Sequence, residues 1–361
     1  MKKRVMYIIN SAEGGGAASP VPSIIKVMKD ANLEVEILVL TPRNRKAISA
    51  FDKGGVIYNI REGGESDNYE AIRWVNQKVL LFKPDLIWTS LTRATIIGQI
   101  VGLYNKIPVV SWQHNAYLKP WNKRILRATQ SLSKLWVADS NNVNKLTQER
   151  LKVSADRVMT WSIFASNPYA PQSQQWQPGQ TINIASLGRL HEAKGYDVLI
   201  SAIELMKNEG FRAPAPVIFN IGGEGSQRDH LIHLMRQKRI STINLCGFTN
   251  NTKEFLANNH LYIQPSRREG FCIAAHEAMQ AGLPVIASNV GELTNTVTDD
   301  TGILVNPENP HELAKALVTC LSSPDRLHDT GLSARSRVLD LFSEEKFIEN
   351  GMKALSAAGV L

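Results

Sequence analysis

The sequence predicts an α/β protein made of two Rossmann-like domains. The chain has 361 residues, about twice the length of a common single domain, so two cores are expected. Short apolar runs end repeatedly in glycine-containing loops and lead into helix-patterned stretches, the βα rhythm of a doubly wound sheet. That rhythm breaks near the middle, where residues 166–180 read Ser-Asn-Pro-Tyr-Ala-Pro-Gln-Ser-Gln-Gln-Trp-Gln-Pro-Gly-Gln. The composition there is that of a linker. The expected division is a first domain over 1–165, the linker, and a second domain over 181–343.

The first strand is Val5-Met6-Tyr7-Ile8-Ile9, followed by Asn10 through Gly14-Gly15-Gly16 and a helix from about Ser19 to Asp30. The basic start Met-Lys-Lys-Arg resembles that of a signal peptide, but its apolar run stops at Asn10, too short for a secretory core. The glycines match neither Gly-x-Gly-x-x-Gly nor a P-loop. They read equally well as a plain turn or as a backbone approach to a ligand. Val35–Leu40, Asp85–Thr89 and Ile107–Trp112 are further strands. The last delivers Gln113-His114-Asn115 to its carboxyl end, where α/β proteins place functional groups, although a lone histidine there is often structural.

Charge is unevenly distributed. Residues 1–165 carry 24 Lys and Arg against 13 Asp and Glu, while residues 166–361 carry 17 against 20. No aromatic-and-basic signature of an RNA or single-strand binder accompanies this, so nucleic acid is not expected as a partner. Between Tyr117 and Lys134 lie Lys119, Lys123, Arg124, Arg127 and Lys134 with no acid, interleaved with Trp121, Ile125 and Leu126. This is the pattern of a helix at an anionic membrane surface and also of a solvated basic helix face. Cys246, Cys272 and Cys320 form neither a Cys-x-x-Cys pair nor an even set, which argues against a disulfide framework and for a reducing, cytoplasmic setting. No apolar run of 18 residues is present to span a bilayer.

In the second half, the strand Ile182–Leu187 leads to Gly188-Arg189-Leu190-His191-Glu192-Ala193-Lys194-Gly195. Val217–Ile221 leads to Gly222-Gly223-Glu224-Gly225, Ile243–Cys246 to Gly247-Phe248, and Leu261–Gln264 to Pro265-Ser266-Arg267-Arg268-Glu269-Gly270-Phe271-Cys272-Ile273. Arg189 and Lys194, five apart in a loop, suit a pyrophosphate clamp. The Ala-rich run containing Glu277 reads as a helix beginning near Gly270. Its leading amides would seat phosphates, and Glu277 would accept from the two hydroxyls of a ribose. No Asp-x-Asp motif follows a strand, so no metal is expected.

Glu269, seven residues and Glu277, with Gly270-Phe271 after the first and Ala278-Met279-x-Ala281-Gly282-x-Pro284-Val285-Ile286-Ala287 after the second, resembles the retaining GT-B glycosyltransferases, specifically glycosyltransferase family 4. Gly188-Arg189-Leu190, three residues and Lys194-Gly195 upstream resembles the same family. The resemblance implies the GT-B fold, two Rossmann-like domains facing each other across a cleft, with a closing helix over about 344–361 packing back on the first domain. It implies a nucleoside-diphosphate sugar as donor, uridine being the commonest base, with no cofactor. The acceptor would be a hydroxyl of a glycan or lipid-linked molecule in bacterial cell-surface polysaccharide synthesis. It implies catalytic roles for Glu269, His114, Arg189 and Lys194, with His114 near the reacting sugar carbon. Gly15, Gly16, Gly223, Phe248, Gly270, Phe271, Cys272, Ile273 and Glu277 would hold the donor. Cys272 departs from the glycine common at that position. A nucleotide-sugar epimerase and a non-catalytic nucleotide- or membrane-binding subunit are the alternatives. The first would leave the acceptor side idle, and the second usually lacks one of Arg189, Lys194, Glu269 or Glu277.

Overall fold

A computed structural model describes residues 2–13, 16, 18–114 and 117–361. The chain divides into two compact units. One comprises residues 1–164 and 345–361, and the other residues 165–344.

In the first unit, β1 (Arg4–Ser11), β2 (Glu34–Thr41), β3 (Ile57–Ile60), β4 (Leu86–Ser90), β5 (Val109–Gln113), β6 (Leu135–Ala138) and β7 (Val158–Thr160) form a parallel sheet in the order β3-β2-β1-β4-β5-β6-β7. The inner strands are buried on both faces, as expected of near-continuous apolar runs covered by crossover helices. Those helices are α1 (Val21–Asp30), α2 (Ile48–Lys53), α3 (Asn68–Phe82), α4 (Thr92–Asn105), α5 (Pro120–Thr129) and α6 (Asn141–Leu151). The order reverses between β1 and β4, so the loops leaving these two strands diverge there.

The second unit repeats the plan. β8 (Ile182–Leu187), β9 (Val217–Gly222), β10 (Ile243–Gly247), β11 (Leu261–Gln264), β12 (Val285–Ser288) and β13 (Gly302–Val305) form a parallel sheet ordered β10-β9-β8-β11-β12-β13. Its helices are α7 (Tyr196–Asn208), α8 (Arg228–Gln237), α9 (Thr252–Ala257), α10 (Ile273–Gln280), α11 (Leu293–Thr296), α12 (Pro310–Ser322) and α13 (Leu327–Leu341). Local sequence explains several boundaries. Asn309 caps α12 by accepting from the Glu312 amide at 3.1 Å, with Pro310 in the first turn where no amide is needed.

The stretch 166–180, expected as a linker, is packed onto the second unit. Trp176 joins its apolar core, the Ser173 hydroxyl donates to the Gly282 carbonyl at 3.0 Å, and the Asn167 amide donates to Gln280 at 2.5 Å. Its polar composition satisfies the backbone of a surface-running strap. The last helix, α14 (Glu344–Ala358), belongs to the first unit from residue 345 onward, with Phe347 against Trp161 at 5.6 Å between ring centres.

Candidate active site

The switch point of the second sheet lies between β8 and β11, and the loops leaving these two strands carry Arg189, Lys194 and Glu269. Ligands of open α/β sheets sit in this crevice because the adjacent loops part there. The two loops are fastened together. The Arg267 amide donates to the Ala193 carbonyl at 2.9 Å, and the Arg267 guanidinium donates to Glu192 O at 2.7 Å and to both oxygens of Asp197 at 2.8 and 2.6 Å. The bidentate pair holds the Asp197 carboxyl below its usual range against the opposing effect of burial. Between them Gly195 adopts φ +65°, and a Cβ there would lie 2.0 Å from the Pro265 carbonyl oxygen. Only glycine permits this approach.

The result is an ion pair. Lys194 Nζ donates to Glu269 Oε1 at 2.7 Å, both side chains being largely buried. Burial works against the ammonium charge, but the adjacent Glu269 carboxylate overrides it and raises the Lys194 pKa. Oε1 also accepts from the Ser266 hydroxyl at 2.6 Å and from Gln264 Nε2 at 3.2 Å. Arg189 is exposed, and no hydrogen bond to its guanidinium is made among the described residues. Gly223, at φ +148°, lets the loop after β9 rest on the Gly188 carbonyl, where a Cβ would come to 1.9 Å. Phe248, beyond β10, is about half exposed.

The helix that follows starts later than expected. α10 begins at Ile273, and Gly270-Phe271-Cys272 form a loop ahead of it. Long-range contacts impose this shape. The Glu292 amide donates to the Gly270 carbonyl at 2.9 Å, and Gly291, at φ +62°, leaves the space a Cβ would fill 2.4 Å from that oxygen. On the other side His276 is fully buried. Its Nδ1 meets the Cys272 carbonyl at 2.9 Å, its Nε2 meets Thr296 Oγ1 at 3.0 Å, and its ring stacks on Phe271 at 4.1 Å. Burial lowers its pKa to about 4, so it is a neutral structural strut. Cys272 takes φ +68°, a left-handed conformation that glycine adopts without strain. Its thiol lies against the Glu269 carboxylate in a buried setting that raises its pKa, which makes a thiolate nucleophile unfavourable.

The amides of Ile273 and Ala274 precede the first bond within α10 and point from its positive end. Glu277 follows one turn in. Its carboxylate is partly buried, makes no hydrogen bond among the described residues, and is pushed up to about 7 by burial, with Lys253 a weaker opposing influence. Loops and a helix start thus gather Arg189, Lys194, Glu269 and the amide end of α10 on one edge of the unit. Sequence reasoning missed Arg267, Gln264 and His276. Arg267 is 70 residues from its partner Asp197, and no local pattern signals such a pair.

In the first unit, His114 is buried at the end of β5. Its Nδ1 donates to Asp139 at 2.9 Å and its Nε2 meets Ser90 Oγ at 3.0 Å; Asp139 also accepts from Trp112 Nε1 at 2.7 Å, and Ser90 bonds the Tyr7 hydroxyl at 2.6 Å. The imidazole stacks on Trp112, which stacks on Trp161. With both ring nitrogens engaged, the side chain is held by its own unit. It borders a cavity of about 190 Å³ that Leu91, Thr92, Gln113 and Lys119 also line. Gly16 is exposed in a turn, and Gly15 lies outside the described residues. No group of three His, Cys, Asp or Glu suited to a metal occurs among the described residues.

Residues 171–337 match the family model "Glycosyl transferases group 1". Among curated proteins, the chain is 30% identical over 180 residues to a glycogen synthase of Mycobacterium tuberculosis, covering 48% of this chain and 42% of that protein. It is 34% identical over 189 residues to a D-inositol 3-phosphate glycosyltransferase of Nocardia farcinica, covering 50% and 41%. The chain therefore spans less than half the length of these relatives. Among solved structures, Anabaena Alr3699/HepE in complex with UDP and glucose superposes with a TM-score of 0.85 at 19% identity, over 98% of this chain and 100% of that one. The fold is GT-B, with two Rossmann-like α/β domains. Within that class, residues 171–337 are similar to the group 1 glycosyl transferases.

Proposed function

We propose that the protein is a retaining glycosyltransferase that moves a hexosyl or N-acetylhexosaminyl group from a nucleoside-diphosphate sugar, uridine the favoured base, to a hydroxyl of a glycan or lipid-linked acceptor. The observation that carries this reading is the meeting of Lys194, Glu269 and the amide end of α10 at the switch point, with the unpaired guanidinium of Arg189 in the same loop as Lys194. The diphosphate of the donor would take Arg189, Lys194 and the amides of Ile273 and Ala274. As the leaving group gathers negative charge, these fixed donors stabilise it without any base having to ionise. Glu277 accepts from the ribose hydroxyls and Glu269 from the sugar. Gly223 and the exposed Phe248 stand at the phosphate and base ends. Gly270, Phe271 and Cys272 shape the sugar pocket, while His114 borders the cavity at the end of β5 in its own unit. The Anabaena structure, solved with UDP and glucose, supports a uridine nucleotide as the first ligand to try.

Calorimetric titration with uridine and guanosine diphosphates tests the reading. One of them should bind to the native protein, and Arg189→Ala should weaken that binding by about tenfold or more, the loss of one charge-assisted contact. Absence of binding by both would remove the nucleotide site.

The setting we propose is cytoplasmic, in bacterial cell-surface polysaccharide synthesis, with α5 resting on an anionic membrane face. Support comes from its exposed residues. Trp121 is 67% exposed beside Lys123, Arg124 and Arg127, while Leu126 is buried and the Tyr117 ring lies under the Arg150 guanidinium at 4.9 Å. Among the described residues, no helix is long and apolar enough to cross a membrane.

A further inference from the structure

Three polar side chains on β11 and its exit, Tyr262, Gln264 and Ser266, are each fully buried. They stand two residues apart, and in an extended chain that spacing puts all three on one face. Buried polar groups in a sheet core are costly unless every one is satisfied, and here they satisfy one another in a single direction. The Leu187 amide donates to the Tyr262 hydroxyl at 3.2 Å, which donates to Gln264 Oε1 at 2.7 Å. Gln264 Nε2 donates to Ser266 Oγ at 2.8 Å, and Ser266 donates to Glu269 Oε1 at 2.6 Å. Burial raises the Tyr262 pKa well above that of an ordinary phenol, so its hydroxyl keeps the proton the chain requires.

We infer that Tyr262, Gln264 and Ser266 are positioning residues that fix the orientation of Glu269 for the donor sugar. The inference rests on the proposed role of Glu269. Oε1 takes Ser266, Gln264 and Lys194, three donors that fill its lone-pair directions. Apart from the Cys272 thiol beside the carboxylate, Oε2 is then the oxygen left for a substrate hydroxyl. The arrangement also solves a conflict at Lys194. A cation that serves both Glu269 and an arriving diphosphate must share or change its hydrogen bonds, and without further support the carboxylate would turn with it. Ser266 and Gln264 hold Oε1 from the sheet side, so Glu269 keeps its orientation while Lys194 answers to phosphate. A network serving only to satisfy the core would have no need to converge on a carboxylate at the switch point.

The test compares wild type, Ser266→Ala and Tyr262→Phe. UDP binding is measured by calorimetry. Turnover is measured with whichever of UDP-glucose, UDP-galactose and UDP-N-acetylglucosamine the wild type consumes fastest, read as UDP release. Ser266→Ala should lower kcat about tenfold, as expected for losing a hydrogen bond to a charged group. Tyr262→Phe, one link further away, should lower it by a smaller factor. Both should keep UDP affinity within about twofold, because neither touches the diphosphate or ribose donors. Thermal melts of each variant separate this from misfolding, and Tyr262→Phe preserves the core volume if Ser266→Ala does not fold. Unchanged kcat in both variants, or a loss of UDP affinity equal to the loss of kcat, overturns the positioning role. A wild type that binds neither UDP nor guanosine diphosphate and consumes none of the three donors overturns instead the site reading on which it rests.

Discussion

Replacing Glu277 with glutamine should stabilise the empty protein and weaken its hold on nucleotide. The carboxyl is raised from 4.5 to about 7 by burial. A group whose folded-state pKa exceeds its unfolded value binds more protons when folded, so stability is greatest below the unfolded value and falls as pH rises through the folded one. The window is therefore pH 4.5 to about 7. At about 1.4 kcal/mol for each tenfold change in proton affinity, full burial would cost about 3 kcal/mol above that window. The side chain keeps some exposure, and solvent screening brings the figure to about 1–2 kcal/mol. Glutamine has nearly the same shape and no charge. At pH 5 the variant and wild type should melt within about a degree of each other, and at pH 8 the variant should melt about 3–6 °C higher, taking about 2–4 °C per kcal/mol for a unit of this size. With UDP the order reverses, since an amide accepts less strongly than a carboxylate, and affinity should drop about tenfold. Parallel melting curves for the two proteins across pH 5 to 8 would refute the buried-carboxylate argument. Unaltered UDP affinity would refute the ribose role.

Three further outcomes are expected. Gly195→Ala forces a Cβ onto the Pro265 carbonyl, so it should cost about 2 kcal/mol or more in urea unfolding; a neutral result would mean the two loops are not locked together. Lys194→Ala leaves Glu269 without its cation and should lose about 2–3 kcal/mol of stability together with turnover, which equal denaturation midpoints would contradict. Binding to vesicles containing anionic lipid should fall as salt rises from 0.05 to 0.5 M, since screening shortens to a few ångströms (about 4 Å) at the upper end. Equal sedimentation with neutral vesicles would dismiss α5 as the contact.

Much of the architecture could be read from the chain. Strands such as Ile182–Leu187 and Leu261–Gln264 are apolar runs whose exit loops carry the chemistry, and both kept their expected positions within a residue or so. What escaped sequence reasoning depends on distant partners. α10 starts at Ile273 because Gly291, Glu292 and His276 hold the three preceding residues in a loop, and nothing within that stretch reveals it. The Pro-, Gln- and Ser-rich stretch resembled a tether, yet Trp176 and Ser173 anchor it to the second unit. His114 was legible as a group at a strand end, but its engagement by Asp139 and Ser90 required three separate strand ends to meet.

The first unit is closed by its last residues. Lys3 donates to the Gly359 carbonyl at 2.9 Å, Lys134 to the Ala358 carbonyl at 3.1 Å, and Phe347 packs on the aromatic stack that carries His114. Residues 165–344, by contrast, are continuous in the chain. During synthesis the second unit can complete its sheet while the ribosome has yet to add α14. The earlier-made half must wait, its stacked tryptophans lacking their closing partner until α14 has been made. A newborn chain would thus complete the sheet of its second unit before its first unit is closed.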